Sequence, residues 1–291
     1  MSSRALNVAT FIGCDTPYEE AEIVLFGAPF DGTTSFRPGT RFGPSAIRSE
    51  SIGLETYSPY SGLDLVDQKI ADIGDLEFPF GNPRKVLDVI KQTTSDILAE
   101  QKLPFMLGGE HLVTLGSVEA MAEAYPDLCI IHFDAHADLR EDYLGEPLSH
   151  ATVLRRCYDL LGDHRIHQFG IRSMSKEEDH WAKDHVHMHK FSFAGLEKTV
   201  ADLQKQGHPV YLTIDLDVLD PSLFPGTGTP EAGGVSFQAL LEAIQLVCKL
   251  PIVGVDVNEL SPHYDISGSS TAVSCKVVRE LLVLLSEGGR K

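Results

Sequence analysis

The chain is short of positive charge. Its 291 residues carry 24 Lys and Arg against 42 Asp and Glu, a formal net charge of −18. No Lys/Arg-rich block occurs in it. Binding to nucleic-acid phosphates needs such a block, so the composition argues against nucleic acid as a partner. An acidic surface is ordinary for a soluble protein, but its field also favours a cationic small molecule. Long apolar runs are missing too. The longest resemble Leu281-Leu282-Val283-Leu284-Leu285, well below the roughly 20 residues that span a bilayer, so no membrane association is expected. Cysteine is sparse: Cys14, Cys129, Cys157, Cys248 and Cys275 are odd in number, widely spaced and form no Cys-x-x-Cys pair. That argues against a disulfide framework or a thiolate zinc site and predicts reduced thiols. Behind Met1-Ser-Ser-Arg-Ala-Leu, Gly13, Asp15, Glu19 and Glu20 interrupt any secretory apolar stretch, so the cytoplasm is the expected compartment. Composition shifts, low-complexity linkers and repeats are also absent. The expectation is therefore one domain over residues 1–291, with the first ~20 residues a peripheral arm.

What is present is a regular alternation. Strand-like apolar runs cover Glu22–Gly27, Leu103–Leu107, Leu128–Phe133, Arg165–Ile171, Val186–His189, Pro209–Ile214 and Ile252–Val257. Helical patterns fall at Pro83–Glu100, Val113–Ala124, Thr152–Leu161, Lys176–Asp184, Gly195–Gln206, Ser236–Lys249 and Ser270–Leu285. Continuous apolar strands separated by helices predict an α/β fold with a mainly parallel sheet. In such sheets ligands gather at the carboxyl ends of the strands. Four segments here carry ligand-type residues after a strand: Gly108-Gly109-Glu110-His111, His132 to Asp138, Asp215-Leu216-Asp217, and Asp256 to Glu259.

The densest of these is His132-Phe-Asp-Ala-His-Ala-Asp138. Asp134, His136 and Asp138 recur at every second residue, which puts three ligands on one side of an extended chain. Asp215 and Asp217 have the same spacing. Adjacent carboxylates repel and are costly to desolvate, so a cation is their natural partner. His111 completes a set of six: His111, Asp134, His136, Asp138, Asp215 and Asp217. Two imidazoles and four carboxylates exceed the needs of one ion. Largely oxygen ligation without thiolate suits two Mn²⁺ ions better than Zn²⁺. Two such ions roughly 3.5–4 Å apart acidify a bridging water, which points to a binuclear metallohydrolase.

Gly108-Gly109-Glu110-His111, Phe133-Asp-Ala-His-Ala-Asp138 and Thr213-Ile-Asp-Leu-Asp-Val-Leu-Asp-Pro221 together resemble the three metal segments of the ureohydrolase (arginase/agmatinase) family. The resemblance runs from about Ile23 to the final helix. It implies a single-domain, three-layer α/β/α fold, two Mn²⁺ per subunit, urea release from a guanidino or amidino group, and trimers or hexamers. It further implies that His111, Asp134, Asp138 and Asp215 hold one ion and that His136, Asp134, Asp215 and Asp217 hold the other. Glu259 resembles the family's guanidinium-binding glutamate and His150 its proton-shuttle histidine. The mechanism implied is attack of a metal-bridging hydroxide on the guanidinium carbon, with Asp138 passing a proton to the leaving amine.

The far end of the substrate separates members of this family. Arginases carry an asparagine two residues after the last aspartate of the first cluster, where this chain has Arg140. Leu139-Arg140-Glu-Asp-Tyr, Leu148-Ser-His150 and Pro38-Gly-Thr-Arg-Phe-Gly-Pro-Ser-Ala-Ile-Arg48 resemble the agmatinase branch. The implied reaction is agmatine to putrescine and urea. Formimidoylglutamate, guanidinobutyrate and aminopropyl-agmatine are the alternatives. Glu141, Asp142 and Glu146 are candidates for an acidic pocket mouth that favours a cationic tail. His185, His187 and His189 read as polar residues on an exposed strand face. Pro225 to Gly234 lacks the strand–GxGxxG–helix setting of a nucleotide site and reads as a shaped loop near the active site.

Overall fold

The computed structural model describes residues 9–288. Part of the expected N-terminal arm, residues 1–8, lies outside the described residues. The strands are β1 (Ile23–Ala28), β2 (Tyr57–Ser58), β3 (Leu63–Asp64), β4 (Ile70–Asp75), β5 (Leu103–Gly108), β6 (Cys129–Phe133), β7 (Ile166–Ile171), β8 (His187–Lys190), β9 (Val210–Asp215) and β10 (Ile252–Asn258). The helices are α1 (Gly43–Ser51), α2 (Pro83–Ala99), α3 (Thr114–Ala124), α4 (Val153–Leu161), α5 (Lys176–His185), α6 (Leu196–Gln206), α7 (Phe237–Val247) and α8 (Ser269–Gly288). β2 and β3 pair as a small antiparallel ladder. The other strands form one eight-stranded sheet in the order β4-β1-β5-β10-β9-β6-β7-β8, with parallel pairing throughout.

Strand side chains alternate between faces, and the core divides accordingly. Leu25, Phe105, Leu107, Ile131, Leu212 and Val257 pack with residues of α1, α6, α7 and α8. Val24, Phe26, Met106, Ile130 and Tyr211 pack on the other face with residues of α2, α3 and α4. Two helical layers thus enclose the sheet, giving the three-layer α/β/α arrangement. Both faces being covered explains why the central strands read as unbroken apolar runs.

The helix starts follow local chemistry. Asn82 caps α2, its side chain accepting from the Lys85 amide, with Pro83 in the first turn. Ser175 and Glu178 form a capping box at α5. Such caps satisfy amides that have no partner within the helix. β5 and β6 follow one another in the chain, yet β10 and β9 lie between them. The carboxyl ends of these four strands flank the crevice where open α/β sheets bind ligands.

Candidate metal centre and active site

Those four strands deliver the expected ligands to one place. His111 opens a 3₁₀ turn (His111–Val113) just beyond β5. Asp134, His136 and Asp138 follow β6, and Asp215 ends β9 with Asp217 in the next 3₁₀ turn (Leu216–Val218). Glu259 follows β10. The extended arrangement expected for residues 134–138 is not what the fold uses. β6 stops at Phe133, the Ala135 amide donates to Asp217 Oδ1 at 3.1 Å, and Asp138 has φ +55°. The reason is distance: residues 134 and 138 of a flat strand would stand roughly 13 Å apart. Curling the chain closes that gap. The pair Asp215/Asp217 is corrected likewise, since the Asp217 amide donates to Asp215 Oδ1 at 2.8 Å in a tight turn.

His111 Nδ1 lies 3.0 Å from Asp134 Oδ2, 3.3 Å from Asp138 Oδ2 and 3.6 Å from Asp215 Oδ2. His136 Nδ1 lies 2.9 Å from Asp217 Oδ2 and 3.4 Å from Asp134 Oδ1. The tautomer of His111 follows from its other nitrogen. Nε2 sits 2.8 Å from Thr213 Oγ1, and that hydroxyl donates its own proton to Asp256 Oδ1 at 2.6 Å. Nε2 therefore carries a proton, and in the neutral ring Nδ1 is the nitrogen left to bind a cation. That Nδ1 is buried and has no hydrogen-bond partner. Burial opposes a charge on the ring, but Asp134 and Asp138 raise His111 well above its usual value, so without a metal Nδ1 holds a proton among three carboxylates. A metal ion can take that proton's place, and the donor set fits one.

The acids give the same indication. Burial and the neighbouring Asp134 charge raise Asp138 to about 7. Burial, then Asp217 and Asp134, raises Asp215 well above the ordinary carboxylate range. Asp134 moves the other way: burial opposes ionisation, but His132, His111 and His136 hold it well below its usual value. Carboxylates that drive one another's affinity for protons upward are those a divalent cation relieves. Ligand atoms within 4.8 Å of one another form two groups, His111 with His132 and Asp134, and Asp134 with His136 and Asp217. Asp134 belongs to both.

The sequence profile of the arginase family matches residues 21–284. The chain belongs to the arginase family. As a member it is a hydrolase of carbon–nitrogen bonds in linear amidines. It is 49% identical over 276 residues to a Bacillus subtilis protein named agmatinase, covering 94% of this chain and 95% of that one. It is 44% identical over 250 residues to the N(1)-aminopropylagmatine ureohydrolase of Thermococcus kodakarensis, 84% of each chain. The solved agmatine ureohydrolase of Thermoplasma volcanium superposes with a TM-score of 0.90 at 33% identity, over 98% of this chain and 97% of that one.

In this arginase-family chain Glu259 stands beside the metal cluster. It has φ +67°, is 5% exposed, and its Oε1 accepts the His111 amide at 2.7 Å. Burial, then the Glu110 charge, raises its pKa well above the ordinary range. Asp138 and Glu259 both hold left-handed backbone without being glycine, a cost of order 1–3 kcal/mol each that concentrates at functional sites. His150 lies in a turn closed by a Ser149–Thr152 capping box. Its amide donates to Thr33 Oγ1 at 3.0 Å and its Nε2 meets Ser35 Oγ at 2.9 Å. Thr33 is itself held by the buried carboxylate of Glu110, through both its amide and its hydroxyl. Burial, then the neighbouring His136 and His111, lowers His150 to about 4.

The cavity above these residues measures about 190 Å³ and is lined by His136, Asp138, Arg140, Tyr143, His150 and Thr229 among others. Glu141, Asp142 and Glu146 do not line it, and Glu141 is 80% exposed. The acidic mouth expected from them is not built; they are loop charges facing water. Arg140 lines the mouth instead. Its guanidinium lies 5.1 Å from the Tyr143 ring centre and its Nε 3.8 Å from Glu178 Oε2. Thr229, from the glycine-rich loop, sits 3.5 Å from Asp217 Oδ2, so that loop does border the site. The alternating histidines lie elsewhere. His185 ends α5 and bonds Asp163 Oδ1 at 2.6 Å, whereas His187 and His189 border a separate cavity of about 540 Å³ with His164 and His167. Sequence reasoning did not find Gln168 or Thr33, and gave Glu110, Thr213 and Asp256 no role.

Proposed function

We propose that this chain is an agmatinase: it hydrolyses agmatine to putrescine and urea with two Mn²⁺ ions. The observation that carries the metal reading is the buried His111 Nδ1, without a hydrogen-bond partner, among three carboxylates. His111, Asp134, Asp138 and Asp215 would hold one ion, and His136, Asp134, Asp215 and Asp217 the other. Bound there, the pair supplies a water acidic enough to attack at neutral pH. Oxygen and imidazole donors without thiolate suit Mn²⁺.

The chain's own residues supply the rest. The Glu259 carboxylate grips the planar guanidinium and turns its carbon toward the cluster. Asp138, which lines the cavity, carries a proton to the departing nitrogen, because a neutral amine leaves more readily than an amide anion. His150, at the cavity wall, exchanges protons between site and solvent. The same reading takes residues 1–291 as one ureohydrolase domain, assembled as trimers or hexamers in the cytoplasm. Among the described residues no helix is long and apolar enough to cross a membrane.

The charge of Arg140 is partly compensated by Glu178 and the Tyr143 ring, which weakens both its pull on a substrate carboxylate and its repulsion of an ammonium. The 49% identity to a protein named agmatinase favours agmatine over guanidino acids. Aminopropyl-agmatine is the second reading, favoured by the 44% identity to a ureohydrolase of that compound. The test is urea release by the Mn²⁺-loaded protein with agmatine, arginine, guanidinobutyrate and aminopropyl-agmatine in parallel. Agmatine should give the highest kcat/KM. A guanidino acid in first place would overturn the assignment while leaving the metal chemistry intact.

A further inference from the structure

His132 is the one histidine of the first cluster outside the six-ligand set. It is fully buried on β6, two residues before Asp134. Its ring lies between two partners. Gln168 Nε2 approaches Nδ1 at 3.0 Å and also donates to the Ala137 carbonyl at 2.7 Å. The second contact fixes the amide, since a flipped Gln168 would set its oxygen against a carbonyl oxygen. Nδ1 must then accept, so the ring proton sits on Nε2. Nε2 donates it to Asp134 Oδ2 at 2.8 Å. The same argument excludes His132 as a ligand, although its Nε2 is near enough to His111 and Asp134. A ligand needs a lone pair at Nε2, which would put the proton on Nδ1, facing the Gln168 amide donor.

The other oxygen of Asp134 is also engaged. Oδ1 accepts the His136 amide at 2.5 Å. An ionised carboxylate offers about four lone-pair sites, two on each oxygen. One site on each is thus filled by a fixed N–H, and one on each remains. Oδ2 is 3.0 Å from His111 Nδ1, and Oδ1 is 3.4 Å from His136 Nδ1. Each remaining site lies beside a different metal-binding histidine.

We propose that His132, oriented by Gln168, is a positioning residue that makes Asp134 give one oxygen to each of two ions rather than both oxygens to one. This rests on the two-ion reading above. With the His132 donor lost, Oδ2 regains a lone pair and the carboxylate is free to turn and chelate a single ion. The second ion then loses its bridge. Partners of this kind change metal affinity by about 10–100-fold.

The experiment is Mn²⁺ titration followed by calorimetry and electron paramagnetic resonance, where an exchange-coupled Mn²⁺ pair differs from isolated ions. The unaltered protein should show the coupled pair. Its absence would overturn the two-ion reading and this inference with it. His132→Phe should stay folded and bind one ion, but bind the second about 10–100-fold more weakly and lose the coupled signal. His132→Gln places an amide N–H near the position of Nε2 and should restore coupling. Gln168→Met keeps His132 but frees its tautomer, and should weaken the coupled signal even if His132→Phe fails to fold. A coupled pair at unchanged affinity in His132→Phe overturns the inference alone, and so does an unchanged signal in Gln168→Met. His132→Gln as defective as His132→Phe would also overturn it, showing that ring packing and not hydrogen-bond donation is what matters.

Discussion

The carboxylate of Glu259 accepts the backbone N–H of His111 at 2.7 Å. The group that would hold the guanidinium is therefore tied to the strand end that carries the candidate metal ligand His111. One oxygen of Glu259 is occupied structurally, and the negative charge remains for the substrate. Glu259→Gln separates the two roles, because an amide oxygen can still accept from His111. The variant should bind Mn²⁺ normally and lose roughly 3 kcal/mol of charge-assisted guanidinium binding, about a hundredfold in kcat/KM. Metal content and steady-state kinetics check this. Unchanged kinetics would remove Glu259 from the substrate site.

Metal removal should destabilise the fold as well as abolish activity. Asp134, Asp138, Asp215 and Glu259 are all buried within one region, and without a cation their charges oppose one another. A ligand that binds only the folded state adds about 2.7 kcal/mol at a hundred times its dissociation constant. Chelation should lower the melting temperature, and Mn²⁺ should restore it in a concentration-dependent way. Asp134→Ala removes the residue shared by both ligand groups, so it should lose Mn²⁺ occupancy and that Mn²⁺-dependent gain together. Two ions bound normally by the Ala variant would contradict the bridge.

Much of this was legible in the chain itself. The central strands announced themselves as apolar runs because helices cover both their faces, and the candidate ligands because Asp and His end those runs. The edge strand β4, Ile-Ala-Asp-Ile-Gly-Asp, escaped notice because its buried apolar run ends after Ile70-Ala71, with Asp72, the exposed Ile73, Gly74 and Asp75 following. Helix α1 escaped because Gly43-Pro-Ser-Ala-Ile-Arg-Ser-Glu-Ser51 shows no apolar stripe. What docks it is Ile47 in the core together with a buried ion pair, Arg48 to Asp72 at 2.8 Å, and no periodicity reveals either. The supports of the site were hidden for a related reason. Gln168, Thr213 and Asp256 are ordinary residues on three different strands, and only the fold makes them partners of His132 and His111. The left-handed backbone at Asp138 and Glu259 leaves no trace in composition either.

The histidines beside β8 predict an acid-sensitive edge. His167 and His187 are register partners across β7 and β8, their rings 4.7 Å apart and nearly parallel, with His164 5.2 Å from His187. Burial, then His187, His189 and His164, lowers His167 to about 3. Its folded pKa therefore lies below the unfolded value near 6.5. Between those two values the unfolded chain binds more protons, so stability is full above about 6.5 and falls as the pH drops toward 3. His167→Gln should flatten that limb and move the acid-unfolding midpoint to lower pH. Circular dichroism on metal-free samples of both proteins separates this from loss of metal in acid. Coincident acid limbs would show that the edge does not open by protonation of His167.

Arg140 offers the sharpest test of what the mouth selects. If agmatine is the substrate, its terminal ammonium must pass a guanidinium that is 40% exposed and only partly compensated by Glu178 at 3.8 Å. Like charges about 4 Å apart cost about 1 kcal/mol where water screens them fully, and more where it does not. Arg140→Gln should therefore lower KM for agmatine a few-fold and leave kcat close to its original value. For a substrate ending in a carboxylate, such as guanidinobutyrate, the same change removes an attractive partner and should raise KM. The two substrates should respond in opposite directions, because their chains are of similar length and their tail charges are opposite. Parallel kinetics on both give the answer. A rise in KM for agmatine would mean that Arg140 orders the mouth through Glu178 and Tyr143 rather than acting on the tail by its charge.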